Sequence, residues 1–256
     1  MQNEDAAREH DRTGIESGEN NVPPRGEPFR RLRVLLVEFS DEIEAHEIPA
    51  FRGAIIAKAG REHILFHNHL NEQKYLYRYP LIQYKRIRRH PAIVCLDYGV
   101  DQIHNYFENR DWSIHISDRW LEMKIARLQM NQFTIQVWDR DFTYRISNWI
   151  ALNQENYREY MNLPEGAGRI EYLQRKLTGN ILAFAKGINW DVTRPVTVSI
   201  QQIEGIRPVT LKGKKVMGFN MVFTCNVFLP NYIGLGKSVS LGYGNVFQIN
   251  TTNNKE

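Results

Sequence analysis

The features that would mark a membrane or secreted protein are missing from this sequence. Its apolar runs are far shorter than the roughly 20 residues that span a bilayer, and Met1 is followed by acidic and polar residues rather than by a basic and then apolar leader. The chain has only two cysteines, Cys95 and Cys225, each in an apolar segment, which favours buried thiols over a disulfide or metal framework. We therefore expect a cytoplasmic protein.

Charge of both signs is present, but it is unevenly distributed. The 256 residues carry a formal net charge of +4, and their 42% hydrophobic and 24% charged side chains are typical of a globular protein. Residues 1–29 hold three arginines against seven carboxylates, a net charge of −4, so the rest of the chain carries +8. We interpret residues 1–29 as a disordered acidic tail. The basic remainder favours polyanionic partners, most often nucleic acid.

Hydrophobic periodicity predicts two successive βαββαβ units. In the first, we predict strands at 31–39, 74–87, 92–99 and 112–116, with helices at 48–60 and 100–111. The second has strand-rich sequence at 124–152, a helix near 170–188 with apolar residues every three or four positions, and strands at 195–203, 214–229 and 243–249. This order is that of the ferredoxin-like fold. We thus predict an α+β protein of two tandem ferredoxin-like domains, at 30–118 and 119–250, with a short tail at 251–256.

A glycine-rich segment, LPNYIGLGKSVSLGYGNVFQI, joins the last two predicted strands. Its four glycines flank a basic and hydroxyl-bearing centre: Gly234, Gly236, Lys237, Ser238, Ser240, Gly242 and Gly244. Glycine lets a backbone approach a phosphate, and consecutive N–H groups form an anion nest. A tight connection in a sheet explains one or two of the glycines equally well. The segment is neither a nucleotide P-loop, since G-x-x-x-x-G-K-[ST] is absent, nor a dinucleotide fingerprint, since a strand follows it.

The sequence GLGKSVSLGYGNV resembles the glycine-rich loop near the C-terminus of the RAMP superfamily. With the tandem domains, the length and the basic body, the chain resembles the CRISPR repeat-processing endoribonucleases of the Cas six family over about residues 31–250. The resemblance implies a protein that binds CRISPR repeat RNA and cuts it without metal or other cofactor, leaving a 2′,3′-cyclic phosphate and a 5′-OH. It leaves open a non-catalytic guide-RNA-binding subunit of a CRISPR effector complex, and a homodimer. A general RNA-binding domain pair is the more distant alternative.

The candidate catalytic groups are His67 and His69, in ILFHNHL. Histidine can take and give a proton near neutrality, and RNA supplies its own nucleophile, the 2′-OH, so one base and one acid would suffice. The family places a catalytic histidine near the first helix of the first domain, which makes His46 the rival. A metal site using His63 would need further ligands that the spacing does not supply. Two packing histidines without chemistry are the plain alternative.

Basic and aromatic residues supply the remaining candidates. Lys58 and Tyr77 are proposed to stabilise the charged transition state. Further candidates for the same role are Lys74, Lys85, Tyr75 and Tyr79. The sequence TLKGKKV predicts a basic hairpin tip with its turn at Gly213. Candidate RNA contacts there and on the predicted long helix are Lys212, Lys214, Lys215, Arg169, Arg175 and Lys176. A solvated turn or helix face explains these cations equally well.

Overall fold

The computed structural model describes residues 28–60, 63–67, 69–71, 74–75, 79–211 and 213–249. The predicted tails lie almost wholly outside these residues. The strands are β1 (Phe29–Phe39), β2 (His69–Asn71), β3 (Lys74–Tyr75), β4 (Ile82–Ile87), β5 (His90–Leu96), β6 (Ile114–Ile116), β7 (Arg119–Leu121), β8 (Ile125–Trp149), β9 (Val198–Leu211), β10 (Lys214–Val227) and β11 (Asn245–Gln248). The helices are α1 (Ile48–Ala59), α2 (Ile64–His67), α3 (Tyr98–Gln102), α4 (His104–Phe107), α5 (Gln154–Asn162) and α6 (Ala167–Gly187), with 3-10 helices at Ala45–Glu47 and Val239–Leu241.

One long strand, β8, joins the two halves of the molecule. Its residues 125–136 pair with β1, its residues 137–149 pair with β10, and β11 pairs with residues 144–147 along the opposite edge. The strand order is therefore β4-β5-β1-β8 in the first half and β9-β10-β8-β11 in the second. Both halves thus have the same order in terms of their own strands, with antiparallel neighbours, which is the ferredoxin-like arrangement. The prediction of two tandem ferredoxin-like units is confirmed.

The predicted fourth strand of the first unit was wrong. Residues 114–116 pair with 119–121 in a separate small hairpin, and the first half of β8 takes the fourth place in the sheet. Ile114 and Ile116 are buried in the core around α1, so their alternation reported burial and not membership of the main sheet. We accordingly place the division between the two halves within β8, near residue 136.

Two other predicted elements are shorter than the sequence indicated. Of the residues of the predicted strand 74–87 that the structure describes, those of β4 belong to the main sheet, while Lys74–Tyr75 pairs with His69–Asn71. The predicted helix 100–111 is two short helices, α3 and α4. In the second half, the connection from β10 to β11 holds only the 3-10 helix Val239–Leu241, so the glycine-rich segment occupies the place of a second helix.

The core is continuous between the halves. Helix α6 buries the predicted apolar stripe, with Leu173, Leu177, Ile181 and Phe184 all fully buried against the second sheet. One face of β1 packs under α1, and Leu32, Val34 and Leu36 on its other face join the cluster that contains α6. Because β1 has no solvent-facing side in this region, its sequence is a nearly continuous apolar run.

Both cysteines are buried, as predicted: Cys95 and Cys225 are 0% and 1% exposed, and both are free thiols. Among the described residues, no helix combines the length and apolar character needed to cross a bilayer.

Tyr144 gives a test of how β8 holds the second half together. It is fully buried, its hydroxyl accepts a hydrogen bond from Leu229 N–H at 2.8 Å, and it donates to Val227 O at 3.3 Å. We expect Tyr144→Phe to lower the free energy of unfolding by about 1–3 kcal/mol, because the buried Leu229 N–H loses its partner and Val227 O keeps only the weak donor Cys225 Sγ. Urea unfolding measures this. Tyr157→Phe on exposed α5 is the control, and equal effects of the two substitutions would contradict the expectation.

Candidate functional site

The glycine loop, residues 234–244, folds around the free edge of the first sheet. Strand β4 ends that sheet, and the loop packs against β4 and against the first turn of α1. A Cβ atom added to Gly242 would lie 3.0 Å from Ile48 Cδ1 and 3.5 Å from Tyr84 O. The loop of the second half therefore lies on the first half, next to the beginning of α1.

Three side chains of the first half bind the main chain of the glycine loop. Tyr79 donates its hydroxyl to Gly234 O at 2.8 Å, and Gly234 N–H donates to Gln83 Oε1 at 3.0 Å. Lys85 Nζ donates to Val239 O at 3.3 Å. Gln83 and Lys85 are both 0% exposed. Burial also raises the pKa of Tyr79 and lowers that of Lys85 to about 7.

Close packing accounts for the glycines that the structure requires. Gly236 has φ of 92°, and a Cβ there would lie 2.7 Å from the Trp149 ring. Gly244 has φ of 64°, and its Cβ would lie 1.9 Å from Leu235 O. Both positions combine a left-handed backbone with no room for a side chain. The tight connection and the proposed phosphate-binding loop are therefore compatible, because the glycines shape a turn whose outer residue, Lys237, is exposed.

Tyr84 lies between Gln83 and Lys85 on β4, and its side chain points to the other face of the strand. There it contacts the segment that ends at His67. Tyr84 donates its hydroxyl to Phe66 O at 3.3 Å, and its ring lies edge-on to Phe51 of α1 with centroids 5.6 Å apart. Phe66 is 1% exposed and anchors α2 in the core around α1. His67 follows directly as the last residue of α2. His46, the rival, is exposed in the 3-10 helix immediately before α1.

His67 and His69 are not residues of one strand. His67 ends α2, whereas His69 begins β2 and pairs with Tyr75. The strand geometry that would put both imidazoles on the same side therefore does not apply. The side chains of both histidines lie outside the described part of the structure, as do Asn68 and Tyr77 entirely. Their assignment as base and acid stays a prediction.

The cations expected to support the chemistry have partners of their own. Lys58 Nζ donates to Ser113 O at 2.8 Å and pairs with Asp111 at 3.3 Å, at the end of α1 opposite His46. Lys85 lies beneath the glycine loop, and its full burial excludes direct contact with a phosphate at the surface. The role of Lys58 stays a prediction.

The predicted basic hairpin tip lies beside the glycine loop. Tyr243 donates its hydroxyl to Thr210 O at 2.5 Å, two residues before the turn between β9 and β10. Gly213 has φ of 75° in that turn, and Lys214 and Lys215 are exposed. Lys212 lies outside the described residues. The tertiary structure thus brings the hairpin and the glycine loop together.

The predicted basic side chains of α6 have neighbours in the second half. Lys176 Nζ lies 4.8 Å from the centroid of the Tyr172 ring, one turn earlier on α6 and away from Asn180. Trp149, which packs on Gly236, donates its indole N–H to Asn180 Oδ1 at 2.9 Å, and Lys176 lies one turn before Asn180. Arg169 lies two turns before Lys176, donates to Leu163 O and pairs with Glu165 at 3.1 Å. Arg175 pairs with Glu171 at 2.9 Å.

Within the residues that the structure describes, no group of three or more His, Cys, Asp or Glu side chains is placed to hold a metal ion. His63 packs edge-on to Phe66, and its Nδ1 lies 3.2 Å from Asn105 Nδ2.

Gln83 holds the glycine loop but was not among the predicted site residues. The signal for it was an amide inside an otherwise buried strand, since buried polar groups need a hydrogen-bond partner. The identity of that partner is not visible in the local sequence.

The fold defines a protein of two ferredoxin-like domains that share one strand. A solved RAMP protein described as binding different RNA substrates shares this fold, with a TM-score of 0.52, 12% identity, and coverage of 86% of this chain and 99% of that chain. The family model of the Cas6b N-terminal domain matches residues 30–134, and that of the Cas6b C-terminal domain matches residues 136–249. The chain belongs to the Cas6b family.

Individual relatives agree with this membership. A solved Cas6b is 26% identical with a TM-score of 0.78, and a second, described as a CRISPR RNA processing endoribonuclease, is 24% identical with a TM-score of 0.65. Each match covers 86% of this chain and 100% of the solved chain. An uncharacterized protein of Methanocaldococcus jannaschii is 40% identical over 104 residues, which are 41% of this chain and 69% of the relative.

Gly236 tests the packing of the glycine loop. We expect Gly236→Ala to destabilise the protein by more than the roughly 1–2 kcal/mol of a left-handed alanine, because the added methyl group also collides with Trp149. Gly213→Ala is the control, since Gly213 has φ of 75° in a turn and no atom within 4 Å of an added Cβ. Thermal unfolding compares the two variants. A loss for Gly236→Ala no larger than for Gly213→Ala would contradict the packing described.

Lys85 predicts a pH dependence of stability. Its pKa in the folded protein is lowered by burial to about 7, below the value of about 10.4 of an exposed lysine. Between these values the unfolded chain binds a proton that the folded chain does not, so the free energy of unfolding falls as the pH drops from about 10 towards 7.

Lys85→Met removes the fall in the free energy of unfolding between about pH 10 and pH 7, because methionine does not titrate. We expect the stability difference, Lys85→Met minus wild type, to grow as the pH falls from about 10 to about 7 and to level off below that. Urea unfolding at several pH values measures it. Lys186→Met, at an exposed position of α6, is the control. A difference that does not change with pH would show that Lys85 keeps an ordinary pKa.

Proposed function

We propose that the protein is an endoribonuclease that cuts CRISPR repeat RNA in a precursor transcript to release guide RNAs. Membership of the Cas6b family supports this, since one solved Cas6b is described as a CRISPR RNA processing endoribonuclease. The structural observation that carries the proposal is the position of β4. Its two faces bind the glycine loop and the segment ending at His67, so the expected RNA-binding and catalytic parts meet at one strand.

The proposed mechanism needs no metal. A base removes the proton from the 2′-OH, the 2′-oxygen attacks phosphorus, and the bond from phosphorus to the 5′-oxygen breaks as an acid protonates that oxygen. The products are a 2′,3′-cyclic phosphate and a 5′-OH. His67 and His69 are the proposed base and acid, each contributing roughly 10²- to 10⁴-fold to the rate, and His46 is the rival for either role.

The proposed RNA-binding surface is formed by cations around the glycine loop. The exposed Lys237 side chain suits the phosphate backbone. The N–H groups of Gly234, Lys237, Gly242 and Gly244 donate to Gln83 Oε1, Ile150 O, Val239 O and Asn148 O within the protein, so these four do not form the predicted anion nest. Lys214 and Lys215, exposed at the hairpin tip, extend this surface. Lys176 of α6 is a further proposed contact. Because all these groups contact phosphate and not base edges, we expect them to position the RNA without reading its sequence. Other CRISPR effector subunits and a second copy of the chain are further proposed partners.

The enzyme is tested with labelled repeat RNA in the presence of EDTA. We expect the wild type to cut at one position per repeat, and His67→Ala, His69→Ala to slow cutting by about 10²-fold or more. The downstream fragment should accept phosphate from polynucleotide kinase without prior phosphatase treatment, since its end is a 5′-OH.

Single variants assign the residues. His104→Ala, at an exposed position of α4, is the control and should cut like the wild type. Loss of activity in His46→Ala alone would move the catalytic role to His46. Tight RNA binding without cutting by the wild type would instead indicate a non-catalytic guide-RNA-binding subunit, and cutting abolished by EDTA would indicate a metal.

A further inference from the structure

Two fully buried polar side chains lie where the halves meet. Gln83 and Lys85 of β4 are 0% exposed, and each bonds to the glycine loop. Burying an amide or an amine is costly even when it is hydrogen-bonded, and apolar residues of similar volume would often serve stability as well. What distinguishes Gln83 and Lys85 from apolar residues is therefore that their hydrogen bonds fix the position of the loop.

These bonds fix the loop at two separated points. At Gly234, the N–H donates to Gln83 Oε1 and the carbonyl accepts from Tyr79, so both polar groups of the residue are oriented by the first half. Gln83 is itself oriented, because its Nε2 donates to Pro80 O at 3.0 Å. Lys85 then holds Val239 O, five residues further along the loop. Two points of attachment prevent both sliding and rotation of the loop on β4.

Tyr84, between Gln83 and Lys85, contacts α2 (Ile64–His67), which is the histidine segment. Side chains alternate across a strand, and Tyr84 accordingly points to the α1 face, where it bonds to Phe66 O, one residue before His67. Consecutive residues of β4 thus fix the glycine loop on one face and the histidine segment on the other. The spacing between the two is set by the pleat of a single strand.

We propose that Gln83 and Lys85 are positioning residues that fix the glycine loop relative to the histidine segment and thereby set the rate of RNA cleavage. This inference rests on the proposed endoribonuclease function. Neither side chain touches the RNA. They act through the loop, whose displacement by about 1 Å would be enough to cost on the order of 100-fold in rate.

The test uses Lys85→Met and Gln83→Met, which keep an unbranched side chain of similar length and remove the hydrogen bonds to the loop. Tyr144→Phe is the control, because it loses buried hydrogen bonds at a place away from β4. Three quantities are measured on the full chain: the Kd for a repeat RNA with a 2′-deoxy group at the cut, the single-turnover rate constant at saturating protein, and hydrogen exchange of the glycine loop.

We expect both β4 variants to cut about 10- to 100-fold more slowly, with Kd changed less than about threefold and faster exchange in the loop. A purely structural role would reduce the amount of active protein, and so the amplitude, without changing the rate constant. We expect Tyr144→Phe to lower the amplitude at most and to leave the rate constant unchanged.

The outcomes separate the two proposals. A wild type that does not cut repeat RNA refutes the proposed function, and with it the effect on rate. A wild type that cuts, with both variants within about twofold of its rate constant, refutes the positioning role alone. Weakened binding with an unchanged rate constant also refutes it, because the loop would then serve affinity and not alignment.

Discussion

Strand β8 belongs to both sheets, and this shared ladder determines how the halves of the protein are arranged. Its first part pairs with β1 and its second part with β10 and β11. Over the described residues 125–149, the chain passes from one sheet to the other within a single strand. The glycine loop crosses the end of β8, where Lys237 N–H donates to Ile150 O and Gly244 N–H donates to Asn148 O, both at 3.2 Å. From there it reaches β4, at the far edge of the first sheet.

The contact between the loop and β4 combines a shared apolar core with a few buried polar groups. The core excludes water from the interface, and the polar groups then need partners inside the protein. The main chain of the glycine loop supplies those partners because its glycines let the backbone approach closely, as at Gly234, where an added Cβ would lie 3.1 Å from Lys85 Nζ. The buried Lys85 side chain can therefore lie against the loop because residue 234 is a glycine.

Hydrophobic periodicity correctly predicted the elements whose apolar pattern is complete within their own segment. The apolar spacing of α6 and the alternation of β10 are complete within their own segments, and both elements were found. The segment 112–116 failed because burial against α1 produces the same alternation as membership of the main sheet. The cations of the candidate site divide in the same way: exposure of Lys214 and Lys215 follows from their turn, whereas the partners of Lys58 and Arg169 depend on chain segments that the motif does not contain.

The sequence by itself determined the tandem ferredoxin-like class, the long helix α6 and the glycine loop, because periodicity and glycine spacing are properties of neighbouring residues. Only the tertiary structure decided that the loop lies on β4 with Gln83 and Lys85 as its partners. Those partners are separated from the loop by 151 and 154 residues along the chain. A hydrogen bond over such a distance follows from the packing of two sheets that share one strand, and no local pattern records it.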